Sequence, residues 1–124
     1  DETHSTTWGS KRMHRAFAFA ETGTAYSFAS KNVIRSLFGS EFLTVLTDAG
    51  KQATDQAIIT IAIPPGGELR IDSDTFRVIL DGENILYAQE GDWINLSREV
   101  LYLDIESATG GTLEGSITYQ ERYL

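Results

Sequence analysis

The feature that most constrains the fold is a period-two apolar pattern between Ile58 and Ile105. Ile59, Ile61 and Ile63 alternate with small or polar residues up to Pro64-Pro65. Alternation of this kind places one side chain in two on the same face of a β-strand. Because two successive prolines lack the N–H groups that a paired strand needs, the strand must end there.

Turn-forming residues separate the apolar runs that follow. The segment Pro64–Gly67 is expected to reverse or redirect the chain, because its glycines tolerate positive φ. Asp72-Ser73-Asp74 predicts a second turn, in which a carboxylate accepts backbone N–H groups nearby. Asp81-Gly82 predicts a type I′ hairpin turn, with Ile85 and Tyr87 on the returning strand. The pattern is typical of a meander of antiparallel strands with one buried face.

The remaining segments are less regular. The pattern of residues 42–47 predicts a strand that forms a hairpin with residues 56–63. A second hairpin is predicted between residues 17–19 and residues 26–28. Residues 31–40 carry apolar side chains at helical spacing over about two turns, so a short helix is one expectation and a non-helical segment the other. Residues 1–13 lack periodicity and are expected to be a flexible N-terminal arm, followed by a single domain over residues 14–124.

About eight short strands, separated by Gly, Asp and Pro at intervals of about ten residues, predict an all-β fold. We expect an antiparallel β-sandwich of jelly-roll type. The residues expected in its core are Ile59, Ile61, Leu69, Ile71, Phe76, Val78, Leu80, Leu101, Leu103, Ile105 and Ile117.

Composition excludes several classes of protein. The 124 residues include no cysteine, so disulfides and thiolate metal sites are excluded. The formal charge of −8 argues against nucleic-acid binding, and the basic residues between Lys11 and Arg15 are expected to be a solvated patch. No apolar run is long enough for a membrane helix, and the first residues lack the apolar region of a signal peptide. We therefore expect a soluble domain without membrane insertion.

No catalytic constellation is present. Asp72, Asp74, Asp81 and Glu83 flank two turns and could bind Ca²⁺ together, but the EF-hand spacing is missing and turn formation is the favoured explanation. His4 and His14 have no partner at metal-ligand spacing. The G-x-S-x-G, G-x-G-x-x-G and P-loop motifs are absent. We predict no catalytic residues, no metal, no cofactor and no enzymatic activity.

Aromatic residues are the candidates for assembly or binding. Trp93, beside Asp92 and Asn95 and with Tyr87 or Tyr102 nearby, could form a saccharide-binding shelf or could close one end of the core. Trp8 could dock on a neighbouring molecule or cover the edge of its own core. Tyr119, Arg122 and Tyr123 form a group of the kind that is enriched at protein contacts.

Three segments carry a resemblance to a known family. They are PPGGELRIDSDTFRVILDGENIL, GDWINLSREVLYLDI and GGTLEGSITYQERYL, of which the first begins at Pro64 and the last ends the chain. The resemblance covers about half the chain, from Ile58 onward. Their order resembles the C-terminal domain of the distal tail protein family of long-tailed, siphovirus-type phages. The resemblance implies a virion structural component, in the tail or neck, whose sandwich serves for assembly or adhesion. The chain has Ser97-Arg98-Glu99 where that family commonly has a Pro-Gly-x-Asn turn, and residues 1–57 are too few for the family's ring-forming N-terminal domain.

Two functions follow as hypotheses. The first is a non-enzymatic phage structural protein of the tail tip, which forms a homo-oligomer and contacts other tail or neck proteins through edge strands and its N-terminal arm. It would be soluble before assembly and would end up in an external virion structure. The alternative is a carbohydrate-binding sandwich that adheres to saccharides of the host surface.

Overall fold

The computed structural model describes residues 2–11, 17–18, 28–36, 39, 43–48, 53–96, 102–108 and 112–121. Within these ranges the chain forms β-strands and one short 3-10 helix. The strands are β1 (Glu2–Lys11), β2 (Phe17–Ala18), β3 (Phe28–Ser36), β4 (Leu43–Asp48), β5 (Ala53–Ile59), β6 (Glu68–Asp72), β7 (Arg77–Leu80), β8 (Glu83–Asn84), β9 (Gln89–Gly91), β10 (Asn95–Leu96), β11 (Tyr102–Ser107) and β12 (Leu113–Glu121). The 3-10 helix, Leu86–Ala88, lies between β8 and β9. Among the described residues, no helix has the length and apolar character that crossing a membrane requires.

The strands form two antiparallel sheets. The seven-stranded sheet has the order β1-β12-β3-β6-β7-β8, and β10 pairs with the first part of β3. The five-stranded sheet has the order β2-β11-β4-β5-β9. Buried residues of both sheets belong to one apolar cluster, so the sheets enclose a common core. The prediction of an all-β antiparallel sandwich is confirmed.

Period-two burial produces this core. Along β6 and β7, Leu69, Ile71 and Val78 are fully buried, whereas the residues between them are exposed or half-buried. Burying one such side chain contributes about 1.5–3 kcal/mol relative to leaving it in water. The predicted core residues that are buried are Ile59, Leu69, Ile71, Val78, Leu103, Ile105 and Ile117, and Ile61 and Leu80 pack partly buried against them. Leu101 lies outside the described residues.

Phe76 was predicted in the core, and this prediction is wrong, because its side chain is 58% exposed. The period-two count from Val78 back to Phe76 fails because β7 begins only at Arg77. Phe76 belongs instead to the turn before β7 and has a φ of 56°.

Two hairpins follow the predicted turn chemistry. The Asp72 carboxylate Oδ1 accepts the backbone N–H groups of Asp74 (3.0 Å) and Thr75 (3.3 Å) in the β6–β7 turn. In the β7–β8 turn, Asp81 and Gly82 have φ values of 49° and 85°, the two positive angles that a type I′ turn requires. Both turn predictions are confirmed, as is the β4–β5 hairpin.

The Pro64–Gly67 segment redirects the chain from one sheet to the other. It follows β5 of the five-stranded sheet and precedes β6 of the seven-stranded sheet. Gly66 has a φ of 76° and its N–H donates to the Ser36 carbonyl, while Gly67 N–H donates to the Pro64 carbonyl at 2.8 Å. The predicted redirection is therefore observed as a crossing between the layers.

The expectation of a short helix near residues 31–40 is wrong for residues 31–36, which belong to β3; residues 37, 38 and 40 lie outside the described ranges. Inward positions of β3 are occupied by Ser30, Asn32 and Ser36, all buried. Because these positions are polar, the strand lacks the apolar alternation by which strands are recognised.

Residues 2–11 of the predicted flexible arm form β1, which pairs with β12 from Glu2 opposite Glu121 to Lys11 opposite Leu113. Pairing at a sheet edge uses backbone N–H and C=O groups, so it does not require an apolar pattern. The arm is therefore corrected to an edge strand over these residues.

Two further pairings differ from the expected meander. The predicted hairpin between residues 17–19 and 26–28 is not formed by its described parts, since β2 pairs with β11, and β3 pairs with β12, β6 and β10. Residues 19–27 lie outside the described ranges. The strand predicted to include Ile85 and Tyr87 ends at Asn84, and the 3-10 helix follows it. Local turn signals could not reveal these pairings, because the partners are far apart in the sequence.

Candidate contact surfaces

The predicted site residues do not form one cluster in the described structure. Trp93 lies between β9 and β10 and packs partly buried against the core, as Tyr119 of β12 also does. Trp8 lies on β1 opposite Gly115, and Tyr102 lies on β11, in the other sheet, opposite Ala18 and Asp48. Arg122 and Tyr123 lie outside the described residues.

Trp93 forms an aromatic pair with the exposed side chain of Phe76. The ring centroids are 5.4 Å apart and the rings are inclined at 70°, an edge-to-face contact. Such a contact contributes about 0.5–1.5 kcal/mol beyond the area it buries. The left-handed backbone at Phe76 costs about 1–2 kcal/mol, so the ring contact offsets most of that strain. The signal that could have placed Phe76 outside the core was the Asp72-Ser73-Asp74 turn, which ends the preceding strand.

The polar residues predicted to edge a saccharide shelf hold the backbone around Trp93. The Asp92 carboxylate accepts the N–H of Gln56 at 3.1 Å. The Asn95 side chain donates to the Trp93 carbonyl at 3.4 Å, and its backbone N–H donates to the Asp55 carboxylate at 3.2 Å. These bonds fix the segment between β9 and β10 against β5, so Trp93 is held partly buried against the core.

Two exposed apolar side chains lie on the 3-10 helix. Tyr87 is 78% exposed and Leu86 is 43% exposed. The backbone before them is fixed, since Leu86 N–H donates to the Asn84 side-chain oxygen at 3.0 Å and Ile85 N–H donates to the Val78 carbonyl at 2.8 Å. The helix therefore presents Tyr87 to solvent from a rigid support.

Gly91 allows β9 to approach β5 closely. It has a φ of 87° and lies opposite Ala57. A Cβ atom at this position would collide with the backbone carbonyl oxygen of Gln56. The same carbonyl accepts the N–H of Asp92 at 2.6 Å, so the contact that excludes a side chain also anchors the Trp93 segment.

The outer side of the seven-stranded sheet has a charged face formed by Lys31, Arg35, Glu68, Arg70 and Asp72. Lys31 pairs with Asp72 at 3.7 Å, and Glu68 pairs with Arg35 at 3.3 Å and with Arg70 at 2.9 Å. An open groove of about 310 Å³ crosses this face. Its lining residues are Lys31, Asn32, Val33, Arg70, Ile71, Asp72, Arg77, Ile79 and Thr118. Exposed pairs of this kind contribute about 0–1 kcal/mol each, so they shape the surface more than they stabilise it.

Two of the four carboxylates considered for Ca²⁺ accept backbone N–H groups. Asp72 accepts the two N–H groups of the β6–β7 turn, and Asp81 accepts the N–H of Glu68 at 2.9 Å. In the described part of the chain, no three His, Asp or Glu side chains are grouped as a metal site would require.

The described strands at the sheet edges differ greatly in length. The seven-stranded sheet ends in β1, of 10 residues, and in β8, of 2 residues. The five-stranded sheet ends in β2, of 2 residues, and in β9, of 3 residues. β10, of 2 residues, pairs with β3 and has no described strand on its other side. Among the described edge strands, only β1 therefore offers a long row of backbone groups.

No protein-family model matches the sequence, and no curated protein matches it. The structure is similar to that of the SPP1 Dit (gp 19.1) protein, whose crystal structure is described as a paradigm of the hub adsorption apparatus in phages that infect Gram-positive bacteria. The TM-score is 0.71 and the sequence identity is 14%, over 99% of this chain and 48% of that protein. At this identity the comparison shows a shared fold. The structural similarity includes the residues before Ile58, to which the sequence resemblance does not extend. This chain spans about half the length of SPP1 Dit.

Proposed function

We propose that this chain is a structural module of a phage tail, at or near the tail tip, that works by self-assembly and by contact with other tail or neck proteins. The main support is the fold likeness to SPP1 Dit over 99% of the chain. The order of the turns and strands from Ile58 onward supports the same setting independently, because it resembles the distal tail protein family. The module would be soluble before assembly and would then belong to the exterior of the virion.

The proposed mechanism is geometrical. Fully buried Ile and Leu side chains from both sheets make the sandwich rigid, and short hydrogen-bonded turns hold its loops in place. A rigid scaffold presents edges, turns and faces to partners with little loss of conformational entropy on binding. This role needs no catalysis and no cofactor. The net charge of −8 disfavours the phosphate contacts of nucleic-acid binding, and we propose no membrane insertion.

Particles of the virus that encodes the chain provide the test. We expect peptides of the chain in the mass spectrum of purified virions, and immunogold label against the chain at the distal end of the tail. Absence from purified particles that contain the other tail proteins would overturn the proposal.

A second candidate function is saccharide binding, and the aromatic pair favours it. Phe76 is exposed beside Trp93, and Tyr87 is the most exposed large apolar side chain among the described residues. Exposed rings with a fixed backbone suit the apolar faces of sugars. Titration calorimetry with host-surface saccharides should then show binding that Phe76→Ala removes and Leu86→Ala retains. Equal loss in both variants, or no binding at all, would leave only the structural role.

A further inference from the structure

Strand β1 offers a sheet edge of unusual length. Natural sheets usually limit edge-to-edge association by ending in short, charged or covered strands. The other described edge strands follow this rule, since β2, β8 and β10 have 2 residues each and β9 has 3. β1 extends over 10 residues and pairs with β12 on one side, and no described strand lies on its other side. Within the described part of the chain, the N–H and C=O groups on that side of β1 can therefore serve as a template for another strand.

We infer that β1 pairs antiparallel with β1 of a second copy of this chain, about a two-fold axis, so that two seven-stranded sheets become one continuous sheet. This inference rests on the proposed function as an assembling module, and it specifies which edge makes the contact and what occupies it. A two-fold contact uses the same surface on both copies, so one strand must be complementary to itself.

The order of charges along β1 supplies that complementarity. Glu2 is at one end, Lys11 is at the other, and the residues between them carry no Asp, Glu, Lys or Arg. Antiparallel pairing near the strand centre brings the acidic end of each copy beside the basic end of the other, and symmetry repeats the arrangement. Opposite charges across neighbouring strands are favourable and like charges are unfavourable. Parallel pairing would bring like ends together, so the sequence selects the antiparallel arrangement.

The centre of β1 suits such a contact. Thr3, Thr6 and Thr7 are β-branched residues, which favour strands, and threonines pair well across strands. The register with β12 is continuous from Glu2 to Trp8 and shifts only between Trp8 and Lys11. The central part of β1 is therefore regularly paired on one side and is available on the other within the described structure.

Charge reversal at the strand ends tests the inference. Sedimentation velocity over a concentration series should show a reversible dimer of the 124-residue chain. Glu2→Lys and Lys11→Glu should each weaken dimerisation by about tenfold, because each brings like charges together twice. An equimolar mixture of the two variants should restore it, because every end then meets its opposite. Lys31→Glu makes a charge change of the same size on the charged face, away from the edge, and should leave the dimer unchanged.

Proline substitutions provide a second measurement that does not depend on charge. Successive N–H groups of a strand point to opposite sides, so one of Thr6→Pro and Thr7→Pro removes an N–H facing β12 and the other an N–H on the open edge. We expect one variant to lose thermal stability and the other to keep it while losing the dimer. A chain that stays monomeric at all concentrations would overturn the inference. So would a dimer that both end-charge variants and both proline variants preserve. Neither result would remove the chain from virions, so the proposed function fails or survives separately on the particle experiment.

Discussion

Gly91→Ala is the substitution whose cost can be worked out most directly from the structure. Two terms contribute to it. The first is the positive φ of 87°, which costs a residue with a Cβ atom about 1 kcal/mol or somewhat more. The second is the collision of the new Cβ with the Gln56 carbonyl oxygen, which belongs to the backbone of a paired strand and cannot swing aside.

Relief of the collision requires β9 to move away from β5. That movement would weaken the ladder from Ala57 to Ile59 and the bond from Asp92 N–H to the Gln56 carbonyl. Overpacking that forces such backbone shifts costs about 1–3 kcal/mol. Together the two terms give a loss of about 2–4 kcal/mol in the free energy of unfolding. For a domain of this size the melting temperature should fall by about 8–16 °C.

Gly82→Ala is the matched control. Gly82 has nearly the same φ, 85°, but a Cβ built there has no atom within 4 Å. It should therefore lose only the backbone term, about 1 kcal/mol and about 4 °C. Circular dichroism during thermal and urea denaturation measures both variants. Equal losses for the two would refute the close approach of β9 to β5.

Three further predictions concern the core, the aromatic pair and the charged face. Ile71 is fully buried, and its strand is paired on both sides in the seven-stranded sheet. Ile71→Ala should therefore lower the free energy of unfolding, measured by urea denaturation, by about 3 kcal/mol. A loss below about 1 kcal/mol would contradict its central position. Phe76→Asn should change the free energy of unfolding by less than about 1 kcal/mol, because asparagine tolerates the positive φ but loses the ring contact. Tryptophan emission should shift to the red, because Trp93 becomes more exposed to water. An unchanged spectrum would contradict the contact. Arg35→Ala should lower the free energy of unfolding by less than about 1 kcal/mol at low salt and by no measurable amount in about 1 M NaCl. A loss of stability that persists in high salt would show that the pair with Glu68 is more than a screened surface contact.

The best-predicted part of the fold is the part whose determinants are local. Asp72 and Asp81-Gly82 specify their turns through their own side chains and φ angles, and the apolar residues on either side then fall into register. The order of β6, β7 and β8 could therefore be derived from adjacent residues. The redirection at Pro64–Gly67 was predictable for the same reason, but β5 ends at Ile59, before the prolines, and the crossing between sheets was not predicted.

The rest depends on partners that are distant in the sequence. β3 was not recognised because Asn32 and its polar neighbours occupy inward positions, so the strand lacks the expected alternation. β1 lacks an apolar pattern altogether and is defined by its pairing with β12. Among the candidate site residues, Trp93 packs partly buried against the core, and both its predicted roles, in a saccharide shelf and in closing the core, stay predictions. Its contact with Phe76 could not be foreseen, because it depends on a left-handed turn residue that the strand period conceals.

The pairing of β1 with β12 also has a consequence for folding. These neighbours in the sheet are the first and last strands of the described chain, so almost the whole sequence lies between two segments that must meet. Contacts between such distant segments slow folding, because the entropy of closing a long loop is lost before the pairing stabilises it. On the ribosome, residues 2–11 emerge before β12 is made, so β1 is without its β12 partner during most of the synthesis of residues 2–121. Association before β1 meets β12 should compete with folding, and a refolding yield that falls with protein concentration would reveal this competition.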